Sequence, residues 1–163
     1  MENPYLAADA FVKDFRQMEY AMKRSGFGRQ DKTIAEADWD SFAQHLGSKF
    51  FEYVIASGLA KTLIGQPPRR LLNDMTWAPP NPSPLANVAQ LIVNGVCRVR
   101  NSYIHGEKFT GGPDGQWERD VTLVLEAHAV LQEAMRYPGS PLPITAGQPD
   151  GRKKSEKTSQ PRH

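Results

Sequence analysis

The chain has 163 residues, enough for one domain with a sizeable core and some length to spare. Its apolar fraction of 39% and charged fraction of 23% fit a globular protein in water, and no apolar run approaches the roughly 18 residues of a membrane span. The single Cys97 excludes an internal disulfide and a cysteine-based zinc set. The N-terminus lacks the basic-then-apolar order of a signal peptide, so the expected compartment is the cytosol.

The net charge of +2 is unevenly spread. Residues 1–137 carry 15 Lys and Arg against 16 Asp and Glu, and the excess falls in the last segment, "RKKSEKTSQPRH". A protein that binds nucleic acid over a broad basic face shows its excess in the body. Any such contact in this body is expected to be local.

Asn3 followed by Pro4 predicts a helix start, an N-cap with proline in the first turn. Phe11, Phe15, Met18 and Met22 then recur at helical spacing up to Gly26. After a loop over residues 26–37, Asp38 is the expected N-cap of a second helix carrying Trp39, Phe42, Leu46, Phe50, Tyr53 and Val54. A bend is expected near Gly47, and a bend or break at Ser57 and Gly58 before Leu63. Residues 65–84 hold six prolines and predict a long ordered loop, with a short extended piece around Leu71 and Leu72.

Ser83 and Pro84 predict the start of a third long helix that stops at Gly106, with 3.6-residue periodicity running straight through Asn94 and Gly95. A fourth helix is expected from about Trp117 to Tyr137. The fold class is therefore all-α, a four-helix up-and-down bundle over residues 1–137 with a long proline-rich loop. Residues 138–163, dominated by proline, glycine, serine and charge, are expected to be a disordered basic tail.

On a regular helix Leu85, Val88, Ile92, Val96, Val99 and Tyr103 share one stripe, the expected core face. Asn87, Gln90, Asn94, Arg98, Asn101 and His105 share the opposite side. Such an amide-rich ridge is either a solvated face or a face offered to another polar surface, including its own copy. Arg100 lies on the shoulder of the core stripe. A partly desolvated guanidinium cannot shed its charge, so it needs a carboxylate or must snorkel to water. Asp14 and Glu19 edge the apolar stripe of the first helix, and Glu19, nearer that helix's C-terminal end, is the favoured partner. His45 and His128 lie among apolar residues and are expected to be core histidines.

The end of the third helix reads "RNSYIHGEK". It resembles the Arg-Asn-x-x-x-His signature of the HEPN superfamily, the higher eukaryote and prokaryote nucleotide-binding domains. The likeness extends to Gly106 and Lys108 after the histidine, to the helix order, and to "FRQMEYAMKRSGF" in the opening helix. The resemblance implies a metal-independent endoribonuclease of toxin or phage-defence type, with no cofactor and no membrane partner. It implies a homodimer whose paired helices form one composite site, and an antitoxin or regulatory protein as a further partner. The residues suit that chemistry. An unperturbed imidazole titrates near neutrality, which suits His105 to proton transfer, Arg100 is a planar phosphate partner, and Asn101 stands one turn before His105 on the same face. Glu19 and Lys108 are supporting residues. Arg100 and His105 are about 140° apart on a regular helix, which the composite dimer site would reconcile. Two other classes compete: a HEPN-like module without catalysis that binds a nucleotide or a partner, and an unrelated helical interaction protein.

Overall fold

The computed structural model describes residues 3–104 and 117–141. Helix α1 (Pro4–Lys23) begins as expected: the Asn3 side chain accepts a hydrogen bond from the Tyr5 amide at 2.9 Å, and Pro4 occupies a position whose amide would have no intrahelical partner. Phe11, Phe15, Met18 and Met22 are wholly buried. The loop that follows is more ordered than its sequence suggested. The Arg29 amide donates to the Glu36 carbonyl and the Asp38 amide to the Phe27 carbonyl, so residues 26–37 fold back on themselves.

Asp38 caps α2 (Trp39–Ser57), accepting from the Ser41 amide at 3.0 Å and the Ser41 hydroxyl at 2.7 Å. Those bonds hold its carboxyl below the ordinary carboxylate range. Gly47, at φ 76°, kinks the helix, and Gly58, at φ 69°, ends it; both conformations suit a residue without Cβ. The short helix α3 (Lys61–Gly65) is bracketed by the last helix, α6 (Trp117–Arg136). Glu126 accepts from the amides of Thr62 and Leu63, and Arg119 donates to the Gln66 carbonyl at 2.9 Å. A carboxylate thus meets the positive end of α3 and a guanidinium its negative end.

Within the proline-rich loop, β1 (Arg70–Leu71) pairs antiparallel with β2 (Trp77–Ala78), Arg70 opposite Ala78 and Leu71 opposite Trp77. The extended piece is where the sequence put it, but it has a partner strand that the sequence did not indicate.

The third long helix departs from expectation twice. It begins at Val88 rather than at Ser83 and Pro84. Asn87 is extended and its side chain accepts from the Gln90 amide at 2.9 Å. The Leu85 amide donates to the Ile64 carbonyl at 2.9 Å, which ties this stretch to α3 instead of into a first helical turn. The helix is also not uniform. Three residues of α4 (Val88–Gln90) lead into a π-helical segment (Leu91–Cys97) and then α5 (Arg98–Ile104). The apolar pairs Leu91–Ile92 and Val96–Cys97 stand five residues apart, and all four side chains are buried. Bonds from i to i+5 bring both pairs to the same side, which the i to i+4 pattern does not. Gly95 serves the same packing: a Cβ there would lie 3.1 Å from Leu85 Cδ1 and 3.4 Å from Leu63 Cδ2.

The described residues are thus mostly helical, of the all-α class, with one two-stranded hairpin among them. Leu123, Val124, Ala127, Val130, Leu131 and Ala134 of α6 are buried in a core shared with α1, α2 and the π-helical segment. Beyond α6, Tyr137 packs edge-on against Phe50, and His45 Nε2 donates to the Pro138 carbonyl at 3.2 Å. Residues 142–163 of the expected tail lie outside the described residues. Among the described residues no helix is long and apolar enough to cross a membrane.

Candidate functional site

Arg100 sits where α5 crosses α1. Its Nη1 donates to Glu19 Oε1 at 3.2 Å, so of the two carboxylates at the edges of α1 it is Glu19 that takes the guanidinium. The pair is neither sealed nor free, with side chains 19% and 22% exposed. Two aromatic residues complete a closed circuit. Trp39, the first residue of α2, donates its indole N–H to Glu19 Oε2 at 3.0 Å. Its ring lies 4.4 Å from the ring of Phe15, and the Phe15 face carries the Arg100 guanidinium at 4.3 Å. Each of the four side chains touches two others, and three helices contribute.

The sequence explains the placement. Phe15 and Glu19 are four residues apart on α1, hence on one flank. Phe15 offers the negative face of its ring to the cation, while Glu19 answers its charge in a partly desolvated setting. The Asp38 cap fixes the first turn of α2 and with it Trp39. Cys97, one turn before Arg100, is buried beneath the circuit. Desolvation pushes its thiol up to about 12; the nearby Arg100 charge opposes that rise, and Glu19 and Asp40 add to it.

The circuit leaves polar atoms unspent. Arg100 Nε and Asn101 Oδ1 are buried and have no hydrogen-bond partner among the described residues. Buried polar atoms of this kind are uncommon in folded proteins, where nearly all find a partner. Here the two belong to consecutive residues of the signature.

Asp14, the other edge carboxylate, accepts from His128 Nε2 at 2.6 Å across the contact of α1 with α6, with the His128 ring 5.8 Å from that of Phe11. His128 is a partnered histidine of the core margin, as its apolar neighbours suggested. The amide ridge is partly spent on its own helix. Asn87 caps it, Gln90 Oε1 accepts from the Ala86 amide at 2.8 Å, and Asn94 Oδ1 accepts from Arg98 at 3.4 Å. Of the expected site residues the structure brings Glu19 and Arg100 together; Asn101 follows Arg100 on α5 with its Oδ1 buried, and His105 and Lys108 lie outside the described residues.

Sequence reasoning assigned Trp39 to packing alone. Its position directly after an N-cap was legible, but nothing local announces which acceptor an indole N–H will find. No family model, no curated protein and no solved structure matches this chain.

Proposed function

We propose that the protein is a metal-independent endoribonuclease of toxin or phage-defence type, built on a HEPN-like four-helix bundle and acting as a homodimer. The observation that carries this reading is the pair of unspent buried atoms on Arg100 and Asn101. A side chain kept only for stability is normally satisfied. The Arg100 Nε–H is a donor that suits a phosphate oxygen, and the Asn101 Oδ1 is an acceptor that suits an imidazole N–H or the RNA hydroxyl. In the proposed reaction a base removes the proton of the RNA 2′-hydroxyl, and its oxygen attacks the adjacent phosphorus. The 5′-oxygen leaves as a protonated alcohol, and the other product ends in a 2′,3′-cyclic phosphate. His105 transfers protons, Arg100 stabilises the charge on the phosphate, and Asn101 orients one of the two. Glu19 positions Arg100, and Lys108 supports the phosphate.

The test is cleavage of single-stranded RNA. Wild-type protein is expected to cut in excess EDTA and to leave the cyclic end. His105→Ala is expected to cut at less than about one hundredth of that rate, the low end of acid–base contributions. Loss of activity to the chelator, or retention in His105→Ala, would falsify the assignment.

A second reading, a HEPN-like module that binds a nucleotide or a partner without catalysis, has one observation in its favour. Arg100 already spends Nη1 on Glu19 and its face on Phe15, as a purely structural arginine does. Absence of cleavage by the wild type, with Arg100→Ala merely less stable, selects it.

A further inference from the structure

We infer that the outward face of α1 is a binding surface for single-stranded RNA, with Lys13, Arg16 and Lys23 meeting phosphates and Tyr20 stacking on a base. The inference deepens the ribonuclease reading and rests on it for the choice of polymer.

The charge pattern of α1 (Pro4–Lys23) is asymmetric. Beyond Asp9 near its start, its acidic residues are Asp14 and Glu19, and both are turned to the flanks, holding His128 and Arg100. The cations are not neutralised in return. Lys13, Arg16, Lys23 and Arg24 are all exposed, and none has a carboxylate partner among the described residues. Their spacings of three, seven and one keep them, with Tyr20, on one side of the helix. The row from Lys13 to Arg24 is about 16 Å long at the rise of an α-helix. The near-neutral body thus carries the kind of local basic strip that its overall charge conceals.

Tyr20 makes the strip more than a solvated face. It is 63% exposed in the middle of the row, with the Arg24 guanidinium 3.6 Å from its ring centre. Arg24 Nη1 also donates to the Tyr20 carbonyl at 2.9 Å, which fixes the guanidinium over one face of the ring. An aromatic ring between free cations is the arrangement that tracks a single strand, phosphates to the cations and a base to the ring. A lipid surface is a poorer match. It requires a broad apolar side facing outward, and the apolar side of α1 is spent on the core. The strip also leads to the site. Arg16 and Lys23 stand three residues before and four after Glu19, one turn to either side of the carboxylate that holds Arg100.

The experiment measures binding of the full-length protein to a labelled 2′-O-methyl RNA oligonucleotide, which lacks the hydroxyl needed for cleavage, over a range of salt concentrations. The variant K13Q/R16Q/K23Q is expected to bind at least about tenfold more weakly. Its log–log salt dependence should be shallower by about 2, three contacts at about 0.7 each for a single strand. Tyr20→Ala should weaken binding about tenfold with the slope unchanged, since stacking releases no counterions. The basic segment after residue 151 is present in every variant and cancels. All these positions are exposed, so the thermal midpoints should agree and an unfolded variant is recognised directly.

An unchanged slope in the triple variant overturns the inference, as does wild-type protein that binds phosphatidylserine vesicles but not RNA. Binding with the expected losses, but no cleavage of unmodified RNA, supports the surface and refutes the ribonuclease. Cleavage by a triple variant that binds as tightly as wild type does the reverse.

Discussion

Two carboxylates flank the apolar stripe of α1, and their partners use them differently. Asp14 and His128 meet at 2.6 Å against Phe11, and among the described residues neither is found with a buried polar atom lacking a partner. Glu19 and Arg100 meet at 3.2 Å, need Trp39 and Phe15 to complete their surroundings, and leave Arg100 Nε unpaired. The first pair ties α1 to α6 and is chemically finished. The second fixes a cation while holding one donor back, at a cost in stability that a purely structural contact would not need to bear. Similar residues at similar edges therefore divide into a fastener and a site.

The contrast breaks most sharply at Arg100. Arg100→Ala strands Glu19 beside an aromatic face and is expected to cost about 3 kcal/mol in denaturant unfolding, the low end for breaking a buried pair because this one is partly exposed. It should also abolish RNA cleavage. His128→Ala removes a hydrogen bond to a charged group and should cost about 2 kcal/mol, while cleavage at the same folded fraction persists. If His128→Ala abolished cleavage in folded protein, the division between fastener and site would collapse.

A finer cut falls on Trp39. Replacing Trp39 by 3-benzothienylalanine exchanges the N–H for sulfur in a ring of nearly the same size. It should cost about 1–2 kcal/mol, the penalty for leaving Glu19 Oε2 short of a donor. It should lower kcat about tenfold, equivalent to about 1.4 kcal/mol of barrier, with KM little changed. A rise in KM alone would make Trp39 part of the binding surface instead.

The smallest effect is that of Asp38, whose cap fixes the turn that carries Trp39. Asp38→Ala is expected to cost about 1 kcal/mol near neutral pH. The carboxyl's folded value lies below its ordinary 3.8 because the Ser41 amide and hydroxyl bind the charged form. The stabilisation is therefore present above that value and is lost as pH falls through the folded one. Wild type and Asp38→Ala should converge in strong acid, as read from unfolding midpoints across pH.

What was legible in the sequence was local. Asn3, Asp38, Gly47 and Gly58 mark their boundaries because a cap or a left-handed turn is decided by one or two residues. The choice of Glu19 for Arg100 was legible for a different reason: a half-buried guanidinium constrains its surroundings strongly. The hairpin of β1 and β2 was not, since two-residue strands have no periodicity to detect. The fold-back of residues 26–37 and the indole bond of Trp39 depend on tertiary placement alone.

The π-helical segment has a consequence for how this site changes under mutation. A turn closed from i to i+5 contains one more residue than a turn closed from i to i+4, so Leu91–Cys97 acts as a phase shifter between the anchored start of the helix and its functional end. Were the same residues to resume the regular pattern, every later side chain would turn by about 100°, and Arg100 would swing away from Glu19 although no residue of the circuit had been altered. Deleting one residue within the segment would instead restore the regular pattern with the later side chains in place. The angular setting of the guanidinium is thus stored upstream, in the extra residue that the wide turn absorbs.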